Sequence, residues 1–119
     1  MRATEYGSTN MIYFNSSDIL YVVKNGFECK TYLTNGRQIS LSLKEMKVLL
    51  DKMPRVFSYK LYLPIYLNPK EIANFSTDGV VVNVEFNNGK KLLELSRIHF
   101  YQNVVPKIEQ ERDLYNRLN

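Results

Sequence analysis

Four of the chain's five glycines follow an asparagine or an aspartate: Asn25-Gly26, Asn35-Gly36, Asp78-Gly79 and Asn88-Gly89. Such a pair supplies the positive φ of a tight turn and is the strongest short-range signal for a β-hairpin. Strand-like residues flank each one. DILYVVK (18–24) and ECKTYL (28–33) bracket the first pair, and ECKTYL and RQISL (37–41) the second. The third precedes VVVNVEF (80–86), and the fourth joins that run to KKLLELS (90–96). A chain punctuated in this way is expected to be mainly β, built from small antiparallel sheets. In the last run Leu92 and Glu94 alternate in direction with Leu93 and Leu95, so both faces should be partly covered. MIYF, near residue 12, adds a short edge strand.

One helix interrupts the pattern, over 42–54. Ser42 followed by Glu45 forms a capping box, in which each side chain satisfies a backbone N–H of the first turn. Leu43, Met46, Leu50 and Met53 fall on one face, which reads as a core-packing stripe, and Pro54 ends the helix. FSYKLYLPIYLNPKEI (57–72) is aromatic and β-prone, yet Pro64 and Pro69 argue against a regular central strand. It reads as short edge strands or extended chain with a turn at Asn68-Pro69. The stretch 106–119 opens on Pro106, a good first-turn residue. Ile108, Tyr115 and Leu118 there give a thin apolar stripe, so a C-terminal helix is expected.

A length of 119 residues suits one domain and needs no disulfide staple. The single cysteine, Cys29, and the single histidine, His99, exclude an intrachain disulfide framework and a multi-cysteine metal site. No carboxylates stand at metal-ligand spacing beside them, and no cofactor is expected. There is no GxSxG elbow and no glycine-rich phosphate loop. Cys29 and His99 form a nucleophile–base pair only if the fold brings them together, so an enzyme is the least favoured class and no small-molecule substrate is expected. No segment is long and apolar enough for a signal peptide or a membrane span. The expectation is a cytoplasmic protein without a membrane partner. Sixteen Lys and Arg against twelve Asp and Glu leave a net charge of +4, compatible with a polyanionic partner. Basic residues recur beside aromatics: Lys60 between Tyr59 and Tyr62, and Arg97 ahead of His99 and Tyr101.

Four segments occur in a familiar order. DILYVVKNG, TNGRQISLSLKEMKVLL, VFSYKLYLPIYLNPKEI and FNNGKKLLELSR together resemble the LytTR DNA-binding domain of bacterial transcription regulators, from about Ile12 to Val105. The resemblance implies an elongated, mostly β fold with one capped helix after the first hairpins. It implies a domain spanning 11–105, preceded by an extension at 1–10 and followed by a helical tail at 106–119. It further implies loops inserted into successive major grooves of double-stranded DNA at promoter direct repeats, with a homodimer on that DNA. Such domains usually stand behind a receiver domain as the output half of a response regulator.

Carried over residue by residue, Ser96 and Arg97 match the closing Ser-Arg of the family, whose arginine contacts DNA. In the bare sequence an alternative stays open, with Arg97 neutralised by Glu94 or Glu71. Lys60 matches a central arginine, keeping the charge and losing the bidentate fork. Asn68 matches a turn asparagine. Tyr62 and Leu63 replace polar residues that include a base reader, and leucine can touch only a thymine methyl. Asn25 lies near the DNA-facing position of the first hairpin, and His99 completes the basic-aromatic cluster. The departures at Tyr62 and Leu63 support a competing reading: a LytTR-fold interaction module that binds a protein partner and has lost base readout.

Overall fold

The computed structural model describes the backbone of residues 1–52 and 56–118, and side chains within 1–52 and 57–112. Ten strands among these residues form one sheet: β1 (Arg2–Glu5), β2 (Met11–Tyr13), β3 (Ile19–Asn25), β4 (Glu28–Leu33), β5 (Gln38–Ser42), β6 (Val56–Lys60), β7 (Leu63–Leu67), β8 (Ile72–Asp78), β9 (Val81–Phe86) and β10 (Lys91–Ser96). Their order is β2-β1-β5-β4-β3-β7-β6-β10-β9-β8, and every pairing is antiparallel. All four Asn-Gly and Asp-Gly turns join consecutive strands, with the glycine at positive φ in each. The fold is mainly β, with helices after β5 and after β10.

β6 and β10 share one partner pair, Lys60 with Leu95. The ladder is thus nearly broken there, but the core is not: one of the two core clusters spans the joint, drawing Leu20 and Ile65 from one side and Phe86 and Leu95 from the other. One cluster gathers Ile12, Ile19, Val22, Cys29, Ile39 and Leu49; the other gathers Leu20, Ile65, Phe86, Leu95, Phe100 and Val104. β3 feeds both clusters: Ile19 and Val22 pack into the first, Leu20 and Tyr21 into the second. The molecule measures 39 × 36 × 25 Å, so the expected elongation runs in two directions, as a slab.

Several expectations change. α1 (Leu43–Leu50) starts where the capping box predicts: Ser42 Oγ accepts from Glu45 N, and Glu45 Oε1 accepts from Ser42 N, both at 3.2 Å. It ends at Leu50, short of the expected stop, and buries Met46, Leu49 and Leu50. Met53 and Pro54 lie outside the described residues. The segment at 57–72 is no edge. β7 runs between β3 and β6 near the middle of the sheet. Pro64 is tolerated because the β3 ladder stops at the Val23–Ile65 pair, one residue short of the proline. The turn after β7 is as expected: Asn68 is buried, donates from Nδ2 to Ile19 O at 3.0 Å, and accepts from Lys70 N at 3.2 Å.

β10 departs from simple alternation. The register against β9 shifts between Leu92 and Leu95, and Glu94 adopts φ 63°. This is a β-bulge: one extra residue bends the strand and lets Leu92 and Leu95 both face inward. The freed N–H of Glu94 donates to Asn83 Oδ1 at 3.0 Å. Strands β1 and β8 have no counterpart in the sequence reading. β1 lies within the stretch 1–10 and is paired between β2 and β5. Helix begins at Arg97 rather than at Pro106. α2 (Arg97–His99), a π-helical turn (Phe100–Val104) and α3 (Val105–Leu118) follow without a break. The widened turn precedes Pro106, which cannot donate the usual i→i−4 bond. Ile108 of α3 is buried against the second cluster; the side chains of Tyr115 and Leu118 lie outside the described residues.

Candidate nucleic-acid interface

The bulged end of β10 delivers Ser96, Arg97 and His99 to the start of α2. Ser96 Oγ lies 2.8 Å from His99 Nδ1, so the two side chains brace each other across one turn. The His99 ring meets Tyr59 edge-on at 4.7 Å, tying the helix start to β6. Arg97 is fixed twice by the β8–β9 turn: its backbone N–H donates to Val80 O at 3.1 Å, and Nη1 donates to Gly79 O at 3.2 Å. Its guanidinium lies 5.7 Å from the centre of the Tyr101 ring, within the range of cation–π attraction.

The Arg97 side chain is exposed. The sequence left open an ion pair with Glu94 or Glu71; among the described residues the ion pair formed is Arg37 with Glu5, at 3.9 Å. Two lysines are engaged elsewhere. Lys30 Nζ sits 4.8 Å from the Tyr6 ring centre, and Lys90 Nζ the same distance from that of Tyr32. Arg97 differs in its five-donor fork, of which one carbonyl and one ring engage a part among the described residues.

In front of Arg97 lies an open groove of about 680 Å³, walled by Leu61, Val80, Val81, Glu94, Ile98 and Tyr101. Of the residues expected at the site, the structure brings Ser96 and Arg97 to this groove. His99 is half-buried behind them. Lys60, half-buried, pairs with both Leu95 and Leu63 and lies beside the joint between β6 and β10. Tyr62 is exposed at the tip of the β6–β7 turn, whereas Leu63 is half-buried at the start of β7. Asn25 is exposed one hairpin away, at the end of β3. Gly79, Val80, Ile98 and Leu61 were missed from the sequence. The signal for Val80 was present: a residue following Asp-Gly between two strands stands at the tip of a turn.

Cys29 and His99 have separate surroundings. Cys29 is fully buried in the first core cluster, where burial pushes its thiol pKa up, the wrong direction for a nucleophile. His99 is hydrogen-bonded to Ser96 and packs its ring edge-on against Tyr59, outside that cluster. Among the described residues no group of three His, Cys, Asp or Glu side chains is placed to hold a metal. No described helix is long and apolar enough to cross a membrane.

No protein-family model and no curated protein matches the sequence. A solved structure does match in shape: the LytTr DNA-binding domain of a protein described as a methyl-accepting/DNA response regulator from Bacillus cereus. The superposition covers 86% of this chain and 90% of that one, with a TM-score of 0.57 at 14% identity. The chain has the LytTR fold. At that identity the likeness is one of backbone architecture, which here accounts for the antiparallel sheet and the helices that follow β5 and β10. The four segments that resemble the family in sequence lie on β3, on β5 and α1, on the β6–β7 hairpin, and on the β9–β10 turn with β10.

Proposed function

We propose that the protein is a cytoplasmic, sequence-specific DNA-binding transcription regulator without catalytic activity. Its loops contact successive major grooves at promoter direct repeats, and two copies sit in tandem on the DNA. The observation that carries this reading is Arg97: exposed, clamped by the β8–β9 turn, and without a carboxylate partner among the described residues. A guanidinium held rigid with free donors suits the O6 and N7 acceptors of guanine, the commonest specific contact in the major groove. Clamping lowers the ordering cost of each hydrogen bond it makes to the base. Lys60 and the net charge of +4 supply attraction to phosphate, which positions a protein without reading sequence. Ser96 and His99 position the arginine.

Selection of binding sites from random duplex DNA tests the proposal, with enrichment of a repeated motif as the expected result. On the selected duplex, Arg97→Ala should cost about 1–3 kcal/mol and relax preference at one guanine. Arg97→Lys should keep phosphate attraction and fail to restore that preference. The competing reading, a protein-binding module, draws on the exposed Leu61 and Tyr62. It requires a dimer that forms without DNA and no enriched motif.

A further inference from the structure

Three hairpins turn on two residues and share an unusual feature. The pairs Asn25–Glu28, Lys60–Leu63 and Asp78–Val81 close the loops Gly26-Phe27, Leu61-Tyr62 and Gly79-Val80. The first loop residue lies at φ 65°, 55° and 63° respectively. The second is in each case large and apolar: Phe27, Tyr62 and Val80 are 88%, 82% and 83% exposed. Turn tips normally carry glycine, asparagine, aspartate or serine. β3 and β7 are antiparallel neighbours, so the first two loops leave the same end of the sheet. Leu61 and Val80 line the groove of Arg97, and Ile98 lines it too, 69% exposed.

These side chains are not a conventional protein-docking patch. The core of such a patch is depleted in charge, whereas here a guanidinium with no carboxylate partner among the described residues stands among the apolar tips, with Glu94 also on the groove wall. The tips also project singly from turns. One surface presents that combination in reverse: the major-groove edge of DNA, where thymine offers an apolar C5-methyl beside the acceptors of guanine. We propose that Leu61, Val80 and Ile98 read the methyl groups of thymines flanking the guanine taken by Arg97, with Tyr62 and Phe27 extending the apolar contact. The preferred site is then a guanine set among thymines, recognised by methyl contacts in place of hydrogen bonds from the β6–β7 turn. This inference rests on the DNA-binding reading and deepens it.

Replacing thymine with deoxyuridine removes the methyl and leaves the pairing intact. The probe is the duplex recovered by selection, with thymines near the guanine exchanged singly and together. Each exchange at a contacted position should weaken binding about threefold to fivefold, the value of one buried methyl. Ile98→Ala and Leu61→Gly should bring the ratio of thymine to uracil affinity toward one at their positions, while Arg97→Ala should leave the ratio unchanged. Tight binding to a selected duplex that has no thymine near the guanine, or that tolerates uracil throughout, overturns the inference and spares the regulator reading. Failure to select any duplex overturns the regulator reading itself. A DNA-independent dimer abolished by Ile98→Ala overturns the inference by showing that a second copy covers the tips.

Discussion

Leu61 occupies backbone space that leucine avoids. The left-handed region costs an ordinary residue about 1–2 kcal/mol, and at φ 55° with 71% of the residue exposed little burial offsets it. Strain of this kind persists where the surroundings enforce it, commonly at functional sites. Leu61→Gly should therefore raise stability by roughly 1 kcal/mol in urea denaturation, while weakening binding to the selected duplex. A variant that gains affinity as well as stability would remove Leu61 from the interface. Cys29 gives a contrasting expectation. Its thiol is fully buried and its pKa is raised by that burial. It should resist alkylation at neutral pH in the folded protein and react with one equivalent of reagent on unfolding. Rapid labelling of the native state would contradict its placement in the core.

At the level of elements, the legible parts were those with their own turn or cap chemistry. The hairpins at Gly26, Gly36 and Gly89 and the start of α1 follow from Asn-Gly pairs and the Ser42–Glu45 box. Ser42→Ala should cost about 1 kcal/mol, measured by thermal or urea unfolding, because the Glu45 N–H at the helix start loses its acceptor. The β6–β7 hairpin was illegible because its turn is Leu61-Tyr62, with no glycine or asparagine to mark it. β8 was missed for another reason: IANFSTD reads as loop, and its outward residues are exposed and polar. Yet a hairpin at Asp78-Gly79 requires a strand on each side, so the signal was there. The bulge in β10 was hidden because LLEL fits ordinary alternation. Of the site, Ser96-Arg97 was visible by resemblance; its clamp, Gly79 and Val80, comes from a turn eighteen residues upstream of Arg97 that only tertiary structure brings near.

Across the whole molecule, one of the two core clusters bridges a sheet joint of one partner pair. Packing rather than the ladder must hold that joint, and Leu95, fully buried beside Lys60, stands at it. Leu95→Ala should lower stability by about 2–5 kcal/mol in chemical denaturation, a loss larger than that of any exposed substitution at the groove. The charge of the whole chain, +4, makes a separate demand. The logarithm of the binding constant should fall linearly with the logarithm of salt concentration, at about 0.9 per phosphate neutralised. A titration flat in salt would contradict contact with the DNA backbone.

Glu94 is the surplus residue of its strand. Delete it, and the leucines at 92 and 95 stand two apart, as in a regular strand, and still face inward, so the interior survives; what vanishes is the kink that swings the chain toward Gly79. The arginine would keep its chemistry and lose its aim. In this molecule the direction of Arg97 is written in chain length as well as in the side chains that brace it.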